Sequence, residues 1–291
     1  MLIDLTIHQT MVSGSIPDEI GRLVNLQILR LSNSTLSGII PKTLGNLSQL
    51  NALCLFGNQL SGPIPQELGM LVHLQSFDLS SNDFSGSIPI SITNLTKMNQ
   101  LFLFENQITG SIPPELGNLA ILNQLELYSN QITGSILPEL GNLTVLNELS
   151  LYANQITGPI PPELGNLTML SVLYLYTNEI TGAIPLELGM LLNLRELDLS
   201  DNQISGSIPA SLGNITNLVA LSLYFNQITV PIPKEIGNLM NLETLRLHLN
   251  QISGSIPKTF GKLQSIHDLT IYNNTLSGYL PEEFDNLTNL V

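Results

Sequence analysis

Glu196 and Asp198 stand two residues apart on a segment whose alternation of apolar and polar residues reads as a strand. Side chains two apart on a strand share a face, so these carboxylates are roughly 6.5–7 Å apart. That overlaps the spacing glycosidases use for their acid and base. Such a pair also needs walls that exclude water and raise one pKa. The surrounding residues read as an open surface, so glycoside hydrolysis is set aside. Glu196, Asp198 and Asp201 lack the loop spacing of a calcium site, and His8, His73 and His267 lack metal-ligand spacing. The sequence contains no nucleophile–base set, phosphate loop or metal cluster. The chain is therefore expected to be non-enzymatic, with no cofactor.

The stronger chemical signal is a column of rings. Phe56, Phe104, Tyr128, Tyr152, Tyr176, Tyr224 and Tyr272 recur at one slot of a repeated strand, with Phe102 and Tyr174 beside them and Phe225 one place further on. Five of the seven tyrosines fall in this slot, so overall composition does not account for them. Neighbouring strands lie about 4.8 Å apart, so the rings from 104 to 176 are expected to form one continuous column. Such a column stabilises a sheet by roughly 0.2–1 kcal/mol per cross-strand pair. It also offers a contact platform, because tyrosine supplies a large amphipathic area at low entropy cost. Acids gather beside it: Glu126, Glu148, Glu196 and Asp198 on the same face, Glu105 and Asp201 at its edge. They read either as a solvated face or as a site for a cationic stretch of ligand, through charge complementarity and cation–π contact.

Basic groups on this face stand near its ends, Arg30 toward one and Arg246 with His248 toward the other. From Arg30 to Arg246 is nine strand steps, roughly 43 Å, which an extended peptide of about 13 residues would cover.

These side chains are positioned by a repeat. One 24-residue pattern, L-x-x-L-x-L-x-x-N-x-I-[ST]-G-x-I-P-x-x-L-G-N-L-x-x, runs twelve times without insertion or deletion, starting at residues 2, 26, 50, 74, 98, 122, 146, 170, 194, 218, 242 and 266. The asparagine slot recurs from Asn58 to Asn274; Thr10 and Ser34 hold it in the first two copies. Fixed-period self-similarity means stacked coils, none of which buries its apolar face alone. In the copy from Leu122, Leu125 and Leu127 alternate with polar residues as a short strand. Asn130 is expected to bond backbone groups of its own coil and the next. Ile132 and Ile136 turn inward around a second extended segment, and Leu140-Gly141-Asn142-Leu143 fits one short 3₁₀ turn. Val230, in place of the glycine, and Leu137, in place of the proline, are expected to alter the coil locally.

The net charge of −14 and only nine scattered basic residues argue against nucleic acid. Cys54, the single cysteine, excludes an intrachain disulfide and is read as incidental rather than reactive. No apolar run is long enough to span a membrane, and the first residues lack a signal-peptide pattern. The first residues already begin a repeat, and Leu290-Val291 begins a thirteenth. The chain is thus expected to be one solenoid domain over 1–291, uncapped at both ends and part of a longer protein.

The segment after the asparagine, as in Asn106-Gln107-Ile108-Thr109-Gly110-Ser111-Ile112-Pro113, carries the family resemblance. With its repeats over 2–289, the chain resembles the plant-specific class of leucine-rich-repeat proteins, above all the ectodomains of plant receptor-like serine/threonine kinases. The resemblance implies an α/β, right-handed superhelical solenoid, with a parallel β-sheet on the concave face and short 3₁₀ turns on the convex face. It implies an extracellular, ligand-binding segment at the plasma membrane that takes an extended peptide or protein on the concave face. A coreceptor ectodomain is a further expected partner, and the segment itself is expected to make no membrane contact. On this reading the ligand contacts are Phe102, Phe104, Glu126, Tyr128, Glu148, Tyr152, Tyr174, Tyr176, Glu196, Asp198, Tyr224, Arg246 and His248. The family often holds a peptide carboxylate with Arg-x-Arg on one strand; here Arg246-Leu247-His248 lacks the second arginine. Eight N-x-[ST] sequons, at Asn33, Asn46, Asn94, Asn142, Asn166, Asn214, Asn273 and Asn286, are expected glycan acceptors. Asn33 and Asn273 are expected on or near the ligand face. The alternatives are a secreted inhibitor of a wall-degrading enzyme, or a structural or ice-binding solenoid presenting Thr109, Thr133, Thr157, Thr181 and Thr229.

Overall fold

Each coil from the one starting at 26 to the one starting at 218 buries seven apolar side chains. In the coil from 170 they are Leu170, Leu173, Leu175, Ile180, Ile184, Leu188 and Leu191, none more than 4% exposed. Full burial of each contributes about 1.5–3 kcal/mol, but only because adjacent coils cover the two open sides. A computed structural model describes residues 2–289; Met1 and the Leu290-Val291 start of a thirteenth copy lie outside the described residues. The chain divides into two compact units, residues 1–134 and 135–291.

In the first unit, strands Asp4–Thr6, Ile28–Arg30, Ala52–Cys54, Ser76–Asp78, Gln100–Phe102 and Gln124–Glu126 pair in parallel. In the second, Glu148–Ser150, Val172–Tyr174, Glu196–Asp198, Ala220–Ser222, Thr244–Arg246 and Asp268–Thr270 do the same. Partners are 24 residues apart, so equivalent repeat positions lie side by side and form straight columns. Between the first and last strands, whose central Leu5 and Leu269 are half-buried, each strand buries its central residue, for example Leu173 and Leu197, and turns its two flanking residues to the other face.

From Asn58 to Asn274 the bend after the strand is held by the asparagine. The Nδ2 of Asn202 donates to the carbonyls of Leu175 (3.0 Å), Leu199 (3.3 Å) and Ser200 (3.0 Å), and its Oδ1 accepts the Ile180 amide at 2.9 Å. Two of these partners belong to the preceding coil. One amide thus satisfies backbone that the bend would otherwise bury unpaired. The residue just before the asparagine has positive φ throughout, from Gln9 at 53° to Asn273 at 52°. No residue type at that slot announced this left-handed bend.

The second extended segments form narrower parallel sheets on another flank. Five strands lie in residues 13–109 and four in residues 157–228, followed by the pair Ser253–Gly254 and Thr275–Leu276. The break after Ile228 falls at Val230. The glycines at this slot have φ near 75–80°, as at Gly182 and Gly206, but Val230 does not adopt positive φ, because a β-branched side chain is strained there. In the Leu137 coil the second segment is reduced to an isolated bridge, Ser135 with Thr157, beside two amide bonds from Gln131 and Thr133 to the coil before. Leu137 keeps the extended conformation of the proline it replaces (φ −94°, ψ 146°).

Twelve five-residue 3₁₀ turns complete the coils among the described residues. In most of them the fourth residue is a glycine packed on the backbone of the next coil. A Cβ on Gly165 would lie 2.5 Å from the Glu187 carbonyl oxygen. Gly165→Ala is therefore expected to lower the thermal midpoint by forcing the two turns apart. Asn202→Ala is expected to cost about 3 kcal/mol in urea denaturation, since buried carbonyls lose their donor. The exposed Asn217, which makes one bond to the Leu192 carbonyl, is the control; equal losses from both alanine variants would contradict the role given to the bend asparagine.

Candidate functional site

On the second unit's sheet, register sets the outward side chains in three rows. The first reads Glu148, Val172, Glu196, Ala220, Thr244, Asp268, and the second Ser150, Tyr174, Asp198, Ser222, Arg246, Thr270. The third, just past the second core leucine, reads Tyr152, Tyr176, Ser200, Tyr224, His248, Tyr272. The rings of the third row stack in two groups. Tyr152 and Tyr176 lie 4.2 Å apart at 10°. Tyr224, His248 and Tyr272 follow at 4.7 Å and 4.5 Å, with interplanar angles of 4° and 19°. Tyr174 meets Tyr152 and Tyr176 edge-on, at 6.3 Å and 6.0 Å.

His248 belongs to this stack. Burial first, and the Arg246 charge second, push its pKa below the ordinary histidine value, so at pH 7 it is a neutral ring. Its Nδ1 lies 3.0 Å from Thr270 Oγ1. Arg246 pairs with Asp268 through Nε (2.8 Å) and Nη2 (2.7 Å). The strand thus carries one cation, already partnered, beside a neutral ring, and it does not reproduce a paired arginine clamp.

The acids are also engaged. Tyr174 donates its hydroxyl proton to Glu196. Asp198 Oδ1 accepts the Ser200 amide at 2.9 Å and the Ser200 hydroxyl. Burial raises the Asp198 pKa, opposed by its bonds to Ser200 and by Arg246. Burial, the Glu196 contact and nearby carboxylates raise the pKa of Tyr174, and burial with the Tyr152 contact raises that of Tyr176; both are neutral hydrogen-bonding phenols at any physiological pH. Tyr174, Tyr176, Glu196, Asp198, Ala220, Ser222, Tyr224, Thr244 and Arg246 line an open recess of about 430 Å³. Ala220, Ser222 and Ser200 were not singled out in the sequence. Their signal was small size in columns that hold rings or charges elsewhere.

The first unit presents a shorter version. Phe104 stacks on Tyr128 at 4.4 Å and 8°, and Phe102 tilts against Phe104 at 6.4 Å. Arg30, Cys54, Asp78, Phe102 and Glu126 are adjacent in register. Asp78 Oδ1 accepts the Ser80 amide (3.0 Å) and hydroxyl (2.6 Å). Burial, followed by Asp78, raises the Cys54 pKa, which keeps the thiol protonated and unreactive.

All eight sequon asparagines are exposed. Asn46, Asn94, Asn142, Asn166, Asn214 and Asn286 each end a 3₁₀ turn, away from the sheet. Asn33 and Asn273 occupy the left-handed bend beside the sheet (φ 49° and 52°). Among the described residues no group of His, Cys, Asp and Glu is arranged to hold a metal, and no helix is long and apolar enough to cross a membrane.

This architecture and the sequence comparisons agree. The chain belongs to the leucine-rich-repeat family. A leucine-rich-repeat region model matches residues 42–160, a two-copy model residues 192–234, and a single-repeat model residues 25–47 and 241–263. No curated protein sequence matches it. Among solved structures, the plant peptide hormone receptor RGFR1 in complex with RGF2 is 39% identical, with a TM-score of 0.97 over 99% of this chain and 46% of that one. The Leptospira interrogans leucine-rich-repeat protein LIC12759 is 36% identical, with a TM-score of 0.79 over 95% of this chain and 68% of that one. A plant ice-binding protein is 26% identical, with a TM-score of 0.71 over 97% of this chain and 82% of that one. The chain thus spans about half the length of the receptor structure it matches.

The Asp198 pKa predicts a pH effect. A carboxyl whose folded pKa lies above its unfolded value adds stability below the unfolded pKa, near 3.9, and loses that contribution as pH rises through the folded value. Charged Asp198 therefore costs stability at pH 7. Asp198→Asn is expected to raise the thermal midpoint at pH 7, with a smaller gain near pH 3.5. A lower midpoint at pH 7 would show that the bonds to Ser200 outweigh burial.

Proposed function

We propose that this chain is a ligand-binding leucine-rich-repeat region of a plant receptor-like kinase. It acts outside the cell in surface signalling and has no catalytic role of its own. The observation that carries this reading is the solvent-facing ladder of stacked rings beside carboxylates on the sheet of residues 135–291. A coil needs its leucines, asparagine and glycine to fold. It does not need Tyr152, Tyr174, Tyr176 and Tyr224 on the outward face, and such rings are typical anchors of an interface. From Tyr152 to His248 is four strand steps, about 19 Å, the reach of about six extended residues. The ligand class is an extended peptide or a protein segment, lying across the strands with side chains between the rings. Phe104 and Tyr128 offer the same contact chemistry on the first unit. That RGFR1 is a peptide hormone receptor supports this choice of ligand. The expected further partner is a coreceptor ectodomain, and the exposed sequons on the 3₁₀ turns are the expected glycan sites of a secreted surface.

A second reading rests on the threonines. Thr109, Thr133, Thr157, Thr181 and Thr229 are all exposed, and a plant ice-binding protein shares the fold. Ice binding would use them as a flat row. However, second-sheet partners are 22 residues apart, so Thr157 pairs with Glu179 and Thr181 with Gln203. Successive threonines are offset by two residues along the strand, about 6.7 Å, and they alternate with longer side chains. This disfavours a flat lattice, and an absence of any effect on ice-crystal growth is expected.

The peptide reading is tested with a binder selected against the full chain from a random peptide library. Tyr152→Ala and Tyr176→Ala are each expected to cost about 2 kcal/mol of affinity by titration calorimetry, roughly thirtyfold. The exposed, remote Tyr279→Ala (95% exposed) is expected to change nothing. Unchanged affinity in both ladder variants would sink this assignment.

A further inference from the structure

The ring ladder of the second unit lacks one rung. Tyr152 and Tyr176 stack at 4.2 Å, and Tyr224 and His248 at 4.7 Å. Between these pairs the slot holds Ser200, whose side chain is fully buried and turned to Asp198. The Tyr176 and Tyr224 rings are therefore two strand steps apart, about 9–10 Å. One flat group inserted midway would sit at about 4.5–5 Å from each ring, the stacking distance seen elsewhere in the ladder. The Tyr176 and Tyr224 rings on either side of the gap also line the 430 Å³ recess. Its floor is kept low by Ala220 and Ser222, on the strand next to Asp198, and Asp198 and Glu196 supply its charge. The one basic group at the rim, Arg246, is already paired with Asp268, which leaves the recess net acidic.

The same device occurs in the first unit. Ser80, 1% exposed, holds the ladder slot between Phe56 and Phe104 and is bonded twice by Asp78. In the row beside the ladder slot, aspartate occurs only at 78 and 198, each two residues before a buried serine with ring-bearing slots on both sides. The missing ring and the acid come together in both places. A third gap, at Ser32 (4% exposed) between His8 and Phe56, has Arg30 beside it instead, so the acid marks the gaps at 80 and 200 and not every missing rung.

We propose that the gap at Ser200 is the specificity pocket for an arginine side chain of the ligand, whose guanidinium enters as the missing rung between Tyr176 and Tyr224 while Asp198 and Glu196 take its charge. The group must be flat, because it fills a stacking gap, and cationic, because the recess is acidic. Among protein side chains, arginine alone has both properties at pH 7, where histidine is flat but mostly uncharged. Stacking on two rings and pairing with a carboxylate act on different parts of the guanidinium, its faces and its edge, so they add rather than compete. Phenylalanine or tyrosine would fill the gap but leave the carboxylates facing an uncharged ring. Lysine would meet the charge but not the stack.

This inference rests on the peptide-binding reading, and its test is separate from that of the reading. The probes are acetyl-Gly-X-Gly-amide tripeptides with X arginine, citrulline, lysine or phenylalanine, titrated into the full chain at pH 7 and followed by the ring resonances of Tyr176 and Tyr224. Citrulline keeps the shape of arginine without its charge. The expected result is saturable binding of the arginine probe, with each other probe at least about tenfold weaker. Asp198→Asn is expected to weaken the arginine probe about tenfold. Ser200→Tyr restores the residue found in neighbouring coils, so the coil keeps its fold, and it is expected to abolish binding by filling the rung. Equal binding of citrulline or phenylalanine, or arginine binding that survives Ser200→Tyr, would overturn the proposal. If a library-selected peptide binds through Tyr152 and Tyr176 while the arginine probe gives no saturable shift, only the pocket assignment falls. If neither binds, both fall.

Discussion

Backbone polar groups at the bend of a stacked coil point inward and cannot reach water. From the third coil on, one asparagine per coil answers them, as when Asn202 takes three carbonyls and one amide across two coils. This contact depends on each coil starting one strand spacing from the last and presenting the same atoms at the same height. An inserted or deleted residue would move four partners at once. That requirement accounts for a period of 24 kept through twelve copies, and for the left-handed residue that precedes the asparagine slot in every coil. The leucine core stabilises the stack, but apolar contacts tolerate displacement. The asparagine bonds set the spacing that the leucines then fill.

Given that spacing, equivalent outward positions fall into straight columns on the first sheet, and a column is where single side chains become a surface. Tyr152 by itself is an exposed ring; with Tyr176 at 4.2 Å it is a wall. His248 by itself is a titratable base; between Tyr224 and Tyr272 it is one more ring. The second sheet lacks this property, because its partners are 22 residues apart. Its threonines recur at the same period without aligning. The two faces share one repeat, and only the first can accumulate a continuous binding surface from it.

Positions that resist variation have equally local reasons. The 3₁₀ turns pack so closely that a Cβ on Gly165 would overlap the Glu187 carbonyl. Where the glycine of the second segment becomes Val230, the chain keeps its coil but loses a stretch of sheet pairing. The fold tolerates this because each coil is tied to its neighbours at three places: the first sheet, the bend asparagine and the turn. Loss of one leaves two.

The period, the burial of the leucine and isoleucine slots, the asparagine bonds, the short turns and the choice of sheet face were all legible in the sequence. Each follows from nearest-neighbour rules applied to an identical unit, and repetition removes the long-range ambiguity that defeats such reasoning in other folds. The stacking of Phe104 on Tyr128 and of Tyr152 on Tyr176 was legible for the same reason, since a fixed period converts sequence spacing into lateral position. What stood opposite each ring was not. That Ser200 opens a gap rather than merely lacking a ring depends on its side chain turning down to Asp198. That the His248 pKa is lowered depends on burial and on the Arg246 charge, and that Arg246 is partnered depends on Asp268 one strand away. Each is a contact between residues 22 or more apart, or a choice among rotamers made by packing. The sequence by itself therefore determined the scaffold and the address of every outward side chain. Only the tertiary structure decided which of those side chains are spent on one another and which remain free to meet a ligand, because that depends on the direction of side chains across strands and not on their order along the chain.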